Sequence, residues 1–194
     1  MASTLWAKIG GFAIAGAETA APRPSRLEEE VVSLFDRLRV PVLRYLLSLR
    51  VPPPDAEEIA QEVFLSLFRH LRQGRSRANL QGWVFRVAHN QALKHRARTR
   101  RYAEHFSHMP ALPEFPCESV PGPEERMQAM QSQERLLAVV RALPEQDRCC
   151  LSLRAEGLRY RDIAEVLGMS LGAVANALER SLSRLARVSN SSAD

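Results

Sequence analysis

Hydrophobic residues recur at intervals of three and four along most of the chain, which is the spacing of amphipathic helices. Residues 27–50 carry one such stripe, and Pro41 within it predicts a kink. "VPPPD" then ends this helix and starts another, for which Asp55 is the predicted N-cap and Glu58 its capping-box partner. We expect this second helix to bury a face composed of Ile59, Val63, Phe64, Leu67, Phe68 and Leu71.

A polar loop, "RQGRSRANLQG", leads into a long helix that begins near Trp83. Residues 107–124 hold five of the twelve prolines, a composition typical of a linker. Helical periodicity then continues to residue 188, and no segment shows the alternation of a strand. The pattern predicts an all-α protein with two small helical domains on a Pro-rich linker. Their predicted boundaries are 27–106 and 125–188, with a disordered extension over 1–26, a flexible linker over 107–124 and a tail over 189–194.

The second domain contains a helix-turn-helix pattern in "YRDIAEVLGMSLGAVANALERSL". Ala164 is small enough for two helices to cross closely, Gly168 suits a left-handed turn, and Val174 anchors the second helix. Ser170 is a suitable N-cap for that second helix, and Gly157 a suitable end for the helix before the motif. A purely structural helix pair is the alternative interpretation.

Charge is distributed unevenly along a chain whose formal net charge is +5. Between Val63 and Ala103 there is no Asp or Glu, whereas ten Arg and Lys residues occur. One-sided charge of this kind indicates an anionic partner, although a solvated basic face would give the same pattern. In contrast, residues 133–190 carry nine Arg against seven acidic residues, so the helix-turn-helix domain alone should bind DNA weakly.

If the second helix of the motif enters the major groove, its early exposed positions contact bases and its later ones contact phosphate. The predicted DNA-binding residues are Arg159, Ser170, Ala173, Asn176, Arg180 and Arg184. The front of this helix is nearly neutral, since it carries Ala173, Ala175 and Ala177, and Glu179 adds an acidic charge. Whether it recognises its DNA element strongly is therefore left open.

Little in the sequence favours catalysis or a cofactor. The three cysteines and five histidines form no metal-ligand spacing, and no nucleophile–base pair or phosphate-binding glycine loop occurs. We therefore expect no enzyme activity, no metal and no cofactor. The apolar run at residues 9–17 is too short to span a membrane, and the cysteine usage is typical of a reduced, cytoplasmic protein without membrane insertion.

Taken together, the two domains resemble sigma factors of the sigma-70 family, in particular its extracytoplasmic-function (ECF) group. The resemblance rests on "DAEEIAQEVFLSLFRHL" followed by "LQGWVFRVAHNQALKHRARTRR" in the first domain, and on "ALPEQDRCCLSLRAEGLRYRDIAEVLGMSLGAVANALERSLSRL" in the second. It implies a bacterial subunit that binds core RNA polymerase and directs promoter-specific initiation. Region 2 would melt the −10 element of the promoter, and region 4 would read the −35 element.

The resemblance also implies roles for particular residues. A polymerase-binding face, which would dock on the clamp helices of the large polymerase subunit, consists of Asp55, Glu58, Gln61 and Glu62. An acidic, amide-bearing face complements a basic helical surface, although a capped and solvated face is the alternative. The melting surface would comprise Arg75, Arg77, Asn79, Trp83, Arg86, His89, Asn90, Lys94, Arg98 and Arg101. Trp83 would either stack on a base or pack in the core. The family also implies an anti-sigma factor as a partner.

Two other functions remain open from the sequence. A stand-alone helix-turn-helix regulator would leave the basic helix after Trp83 without a role, and residues 27–103 show no ligand-pocket signature or dimerisation seam. A protein that occupies polymerase without initiating would fit the neutral reading helix. The sequence does not identify the promoter, the regulon, the inducing signal or the role of residues 1–26.

Overall fold

The structure, a computed structural model, describes residues 25–103 and 134–190, with side chains described to residue 100 in the first range and to residue 188 in the second. Seven helices and no strands occur in these two ranges, as the periodicity predicts. They are α1 (Arg26–Ser48), α2 (Pro53–Arg72), α3 (Leu80–Ala103), α4 (134–142), α5 (Glu145–Ala155), α6 (Tyr160–Leu167) and α7 (Leu171–Asn190). The predicted N-terminal extension falls outside the described residues as far as residue 24, and the predicted linker falls wholly outside them.

Helices α1, α2 and α3 pack together as the N-terminal unit. Ser25 caps α1 in a capping box with Glu28, and Pro41 lies inside this helix. The core of the unit is apolar and almost fully inaccessible to water, and its largest members are Tyr45, Leu46, Leu67 and Phe85. An edge-on ring contact at 4.9 Å between Phe35 and Phe64 joins α1 to α2. Burial of these stripes explains why three separately amphipathic segments fold as one unit.

The start of α2 differs from the prediction. The N-cap is Pro52 and the helix begins at Pro53, so Asp55 lies in the first turn instead of capping it. Proline is well suited to these positions because its fixed φ is helical and its missing N–H would have no intrahelical partner there. The carboxylate of Asp55 still lies near the positive end of the helix dipole.

Helices α5, α6 and α7 form the C-terminal unit, whose core includes Leu153, Ile163, Val174 and Leu178. Gly168 ends α6 in the left-handed conformation, with φ of 65° and ψ of 34°, as the pattern predicts. The amide of Ala173 donates a hydrogen bond of 3.2 Å to Ser170 Oγ, which places Ser170 at the N-terminus of α7 as its cap. The helix-turn-helix geometry therefore follows from its local signals.

The two units are packed against each other. Helix α3 lies against α6, and α1 lies against α5. One continuous apolar cluster includes core residues of both units, among them Cys149 and Cys150 of α5. Burial raises the pKa of each of these two thiols to about 11, so both are neutral at physiological pH and behave as small apolar side chains.

Candidate nucleic-acid interface

The exposed surface of α3 carries a regular basic row. Arg86, Asn90, Lys94 and Arg98 are all exposed and follow one another at intervals of four residues, so they lie along one side of the helix. We refer to these four residues as the basic stripe. No carboxylate is available on α3 itself to neutralise it, because the helix contains no Asp or Glu. The stripe therefore presents three cations and one amide donor to solvent.

His89 was predicted to belong to this surface, but its side chain points into the protein. It is 9% exposed, and its Nδ1 is 2.8 Å from the hydroxyl of Tyr45. Burial lowers the pKa of His89, so the ring is neutral at pH 7. In this arrangement the side chain supports the core and is not accessible to nucleic acid.

Trp83 is only partly accessible, whereas the basic loop before it is exposed. The indole of Trp83 is half-buried and packs against the imidazole of His70, with ring centroids 4.6 Å apart. In the loop before α3, Arg75 and Arg77 are exposed, and Arg77 is paired with Glu30 of α1 at 3.2 Å. The side chain of Arg101 lies outside the described residues.

Asn79 organises the junction between the loop and α3. Its φ of 52° is left-handed, a conformation that asparagine adopts more readily than most residues. Its Oδ1 accepts a hydrogen bond of 3.1 Å from the amide of Gly82 and so caps α3. Its Nδ2 donates a hydrogen bond of 2.8 Å to Asp162 of α6. Gly82 is required for this arrangement, because a Cβ at that position would lie 2.4 Å from Asn79 Nδ2.

The predicted polymerase-binding residues lie on α2. Glu58 and Gln61 are exposed, whereas Asp55 and Glu62 are half-buried. Asp55 Oδ2 is 3.3 Å from His95 Nε2, and Glu62 pairs with Arg69 at 3.1 Å. The positions at 58, 61 and 62 follow helical spacing and share one side of α2. Glu58 and Gln61 are thus accessible to a partner protein, whereas Asp55 and Glu62 already contact His95 and Arg69.

The reading helix α7 has fewer neutral exposed positions than the sequence indicates. Ala177 is fully buried, so it packs in the core and is not a solvent-facing position that lacks a charge. Ala173 and Ala175 are half-buried, whereas Ser170, Asn176 and Arg184 are exposed. Ala177 therefore does not contribute to the neutral exposed surface of this helix, because helical spacing places it beside Val174 and Leu178 in the core.

Arg159 precedes the helix-turn-helix, and Arg180 lies within the reading helix α7. Arg159 is exposed and precedes α6, and its backbone amide donates a hydrogen bond of 3.2 Å to Asp162 Oδ2. Arg180 makes a bidentate pair with Asp147 of α5, at 2.7 Å and 3.2 Å. This hydrogen bonding raises the pKa of Arg180, which is charged at any pH of interest.

Four residues that shape contacts between helices were not identified from the sequence: Gly82 beside Asn79, Arg44 of α1 and Glu156 after α5, which form a pair with each other, and Asp147, which pairs with Arg180. Each acts through a partner that is distant in sequence or through a local steric requirement, so periodicity and composition carry no signal for it. Only Gly82, an isolated glycine in the first turn of a helix, was detectable as an unusual residue at its position.

In the part of the chain that the structure describes, no group of His, Cys, Asp or Glu side chains has the arrangement of a metal site. Nor does any helix of that part have both the length and the apolar character needed to cross a membrane.

Comparisons with known proteins agree with this geometry. Residues 34–102 match the model of sigma-70 region 2, and residues 133–185 match the model of sigma-70 region 4. The chain is 32% identical over 137 residues to the RNA polymerase sigma-H factor of Pseudomonas aeruginosa, covering 65% of this chain and 68% of that protein. It is 29% identical over 146 residues to the ECF RNA polymerase sigma-E factor of Escherichia coli K12, covering 70% of this chain and 74% of that protein.

A solved structure supports the fold. The sigma factor RpoE of Bartonella quintana, in complex with the anti-sigma factor NepR, superposes with a TM-score of 0.65 at 16% identity. That superposition covers 84% of this chain and 97% of the other. The two matched regions, in this order, and the relatives of similar length lead to one conclusion: the chain belongs to the sigma-70 family of RNA polymerase sigma factors, in its ECF group.

Proposed function

We propose that the chain binds core RNA polymerase and directs it to promoters, with the N-terminal unit opening the −10 element and the C-terminal unit reading the −35 element. The observation that carries this proposal is the basic stripe on α3, which is uninterrupted by acidic residues and lies on the unit that matches region 2. A DNA strand leaving the duplex exposes a line of phosphates, and cations at regular spacing along a helix can follow it.

The polymerase would be bound by α2 through Glu58, Gln61, Glu62 and Asp55. Their side chains present carboxylates and an amide within the first three turns of the helix. This arrangement suits a basic helical partner, for which we infer the clamp helices of the large polymerase subunit. The protein would then act where core polymerase is found, in the cytoplasm, without catalysing a reaction and without a cofactor of its own.

Weak DNA binding by the reading helix is compatible with this function. Exposed Asn176 and Arg184, with Ser170 at the helix start, give α7 few groups that can hydrogen-bond to bases or phosphates. When polymerase and the N-terminal unit hold the promoter, the second contact becomes effectively intramolecular and requires little affinity of its own. The same property would limit binding to promoters by the protein without core enzyme.

The test is transcription in vitro from a fragmented genomic library, with purified core polymerase and sequencing of transcript starts. We expect starts that require the protein and share two spaced upstream elements. Stable binding to core without such starts would instead support the protein that occupies polymerase without initiating. Binding to duplex DNA with no affinity for core would support a stand-alone helix-turn-helix regulator.

A further inference from the structure

We infer that the reading helix α7 selects A·T base pairs by apolar contact, with Leu171 packing against the methyl group of a thymine in the major groove. This inference rests on the proposed function of the C-terminal unit, and it assigns a class of base pair to a helix whose residues 171–176 carry no charge. Leu171 is the first residue of α7, and it is 52% exposed.

The exposure of Leu171 departs from the hydrophobic pattern of its helix. Residues seven apart lie on the same side of a helix, and Leu178, seven residues farther on, is 1% exposed in the core. Leu171 lies two turns nearer the N-terminus, where the core no longer covers it. A single exposed leucine is common on protein surfaces, so its position in the motif decides what it can bind.

That position is where a helix-turn-helix meets the bases. The N-terminal residues of the second helix reach the base edges in the major groove. Gly168 ends α6 and Ser170 caps α7, so Leu171 is the residue with which this second helix begins. Exposed Arg184 and Arg187 lie farther along α7, where they can contact phosphates. The apolar side chain therefore faces bases, and the cations face the backbone of the duplex.

Thymine offers a matching apolar group. Its C5 methyl projects into the major groove, whereas the unmodified edges of adenine, guanine and cytosine present hydrogen-bonding groups there. Next to Leu171, no atom lies within 4 Å of the position that a Cβ on Gly172 would take, so a base can approach the helix closely. Exposed Asn176 supplies an amide that can pair with N6 and N7 of adenine. This combination favours an A·T pair over 5-methylcytosine, whose methyl group lies opposite guanine.

The contact can be removed from either side. Uracil differs from thymine only in lacking the C5 methyl, so its substitution leaves base pairing intact. Leu171→Ala withdraws the side chain, whereas Leu171→Met retains an apolar one of similar volume. Leu182→Ala is the matched control, because Leu182 is 55% exposed on the same helix but lies about 16.5 Å farther along its axis.

The experiment first selects preferred duplexes from a randomised library with the full chain at low salt, where weak binding is measurable. Fluorescence anisotropy then compares the selected duplex with the same duplex carrying uracil in place of thymine. We expect the selected sites to contain A·T pairs, and binding to weaken about fourfold when the contacted methyl group is absent. Leu171→Ala should bind both duplexes equally, whereas Leu171→Met and Leu182→Ala should keep the fourfold difference. A purely structural role of Leu171 would weaken binding to both duplexes and leave their ratio unchanged.

Three results would overturn the inference. The selection could enrich no site that contains A·T pairs, the wild-type chain could bind the thymine and uracil duplexes equally, or Leu171→Ala could keep the preference for thymine. Circular dichroism of each variant checks that its helix content is retained. Failure of the proposed function is distinguishable, since it would appear as the absence of polymerase-dependent transcript starts, whether or not the chain prefers thymine.

Discussion

Arg180 of the reading helix donates two hydrogen bonds to the carboxylate of Asp147, whose side chain is 4% exposed. The pair joins α7 to α5, while the Arg180 side chain itself remains 56% exposed. Sequence position alone made Arg180 a candidate for DNA binding. In the structure its guanidinium is paired with Asp147, so a contact with DNA would have to form beside this pair or replace it.

Asp147→Asn should therefore destabilise the C-terminal unit. The substitution keeps the side-chain shape but removes the charge that compensates Arg180, so part of the bidentate pair is lost. We expect a lower midpoint of thermal unfolding, measured by circular dichroism. Glu179→Gln, at an exposed position next to Arg180, is the control and should leave the midpoint unchanged. Equal midpoints for the two variants would show that the pair does not contribute to stability.

Changing Gln61 and Glu62 together to Ala should weaken binding to core polymerase. Both side chains are on the proposed docking face, outside the buried core of α2, so the fold should persist. Loss of an amide and a carboxylate at an interface of complementary charge should reduce affinity about tenfold. Fluorescence anisotropy with labelled chain and core polymerase measures this. Unchanged affinity would place the docking face elsewhere.

Replacement of Lys94 and Arg98 by Ala should separate polymerase binding from promoter opening. Both side chains belong to the basic stripe and are exposed. Without them the melted strand loses two phosphate contacts, so its binding should weaken and depend less on salt. We expect normal affinity for core and a severe loss of open complex, detected by permanganate footprinting. Normal opening by this variant would remove the stripe from the mechanism.

Protonation of His89 should reduce stability in mild acid. Burial lowers the pKa of His89 below its ordinary 6.5, with Tyr45, Glu145 and Arg96 as the neighbouring polar and charged groups. The unfolded chain takes up a proton as pH falls below 6.5, while the folded chain resists it, so stability declines from that pH down to the folded pKa. His89→Asn retains a hydrogen-bond acceptor and should flatten this part of the profile. Urea unfolding between pH 7 and pH 5 tests the difference.

Gly82→Ala should loosen the packing between the N-terminal and C-terminal units with little change in stability. The added Cβ would lie 2.4 Å from Asn79 Nδ2 and displace that side chain from Gly82 and Asp162. Loss of the cap costs about 1 kcal/mol, and the higher helix propensity of Ala offsets a similar amount. We expect an almost unchanged unfolding midpoint and larger dimensions by X-ray scattering. Gly172→Ala, where no atom lies within 4 Å of an added Cβ, is the control and should remain compact.

The sequence by itself determined the helices and the turn, because those depend on signals within a few residues. The stripe of Leu34, Leu38 and Val42, the left-handed Gly168 and the Ser170 cap each predict their local structure, and the structure confirms them. At the start of α2 the local signals competed. Asp55 was predicted to cap this helix, but the helix begins two residues earlier, at Pro53. The fixed φ of the consecutive prolines already suits the first helical positions.

Only the tertiary structure decided which side chains on these helices are accessible to a binding partner. His89 and Arg86 lie three residues apart on the same helix, yet His89 is hydrogen-bonded to Tyr45 in the core whereas Arg86 is exposed. The partner of Arg44 is 112 residues away in the chain, and that of Arg180 is 33 residues away. Periodicity describes one helix at a time, whereas burial and ion pairing depend on the surface that another helix presents. The closed packing of the two units therefore could not be read from either segment alone.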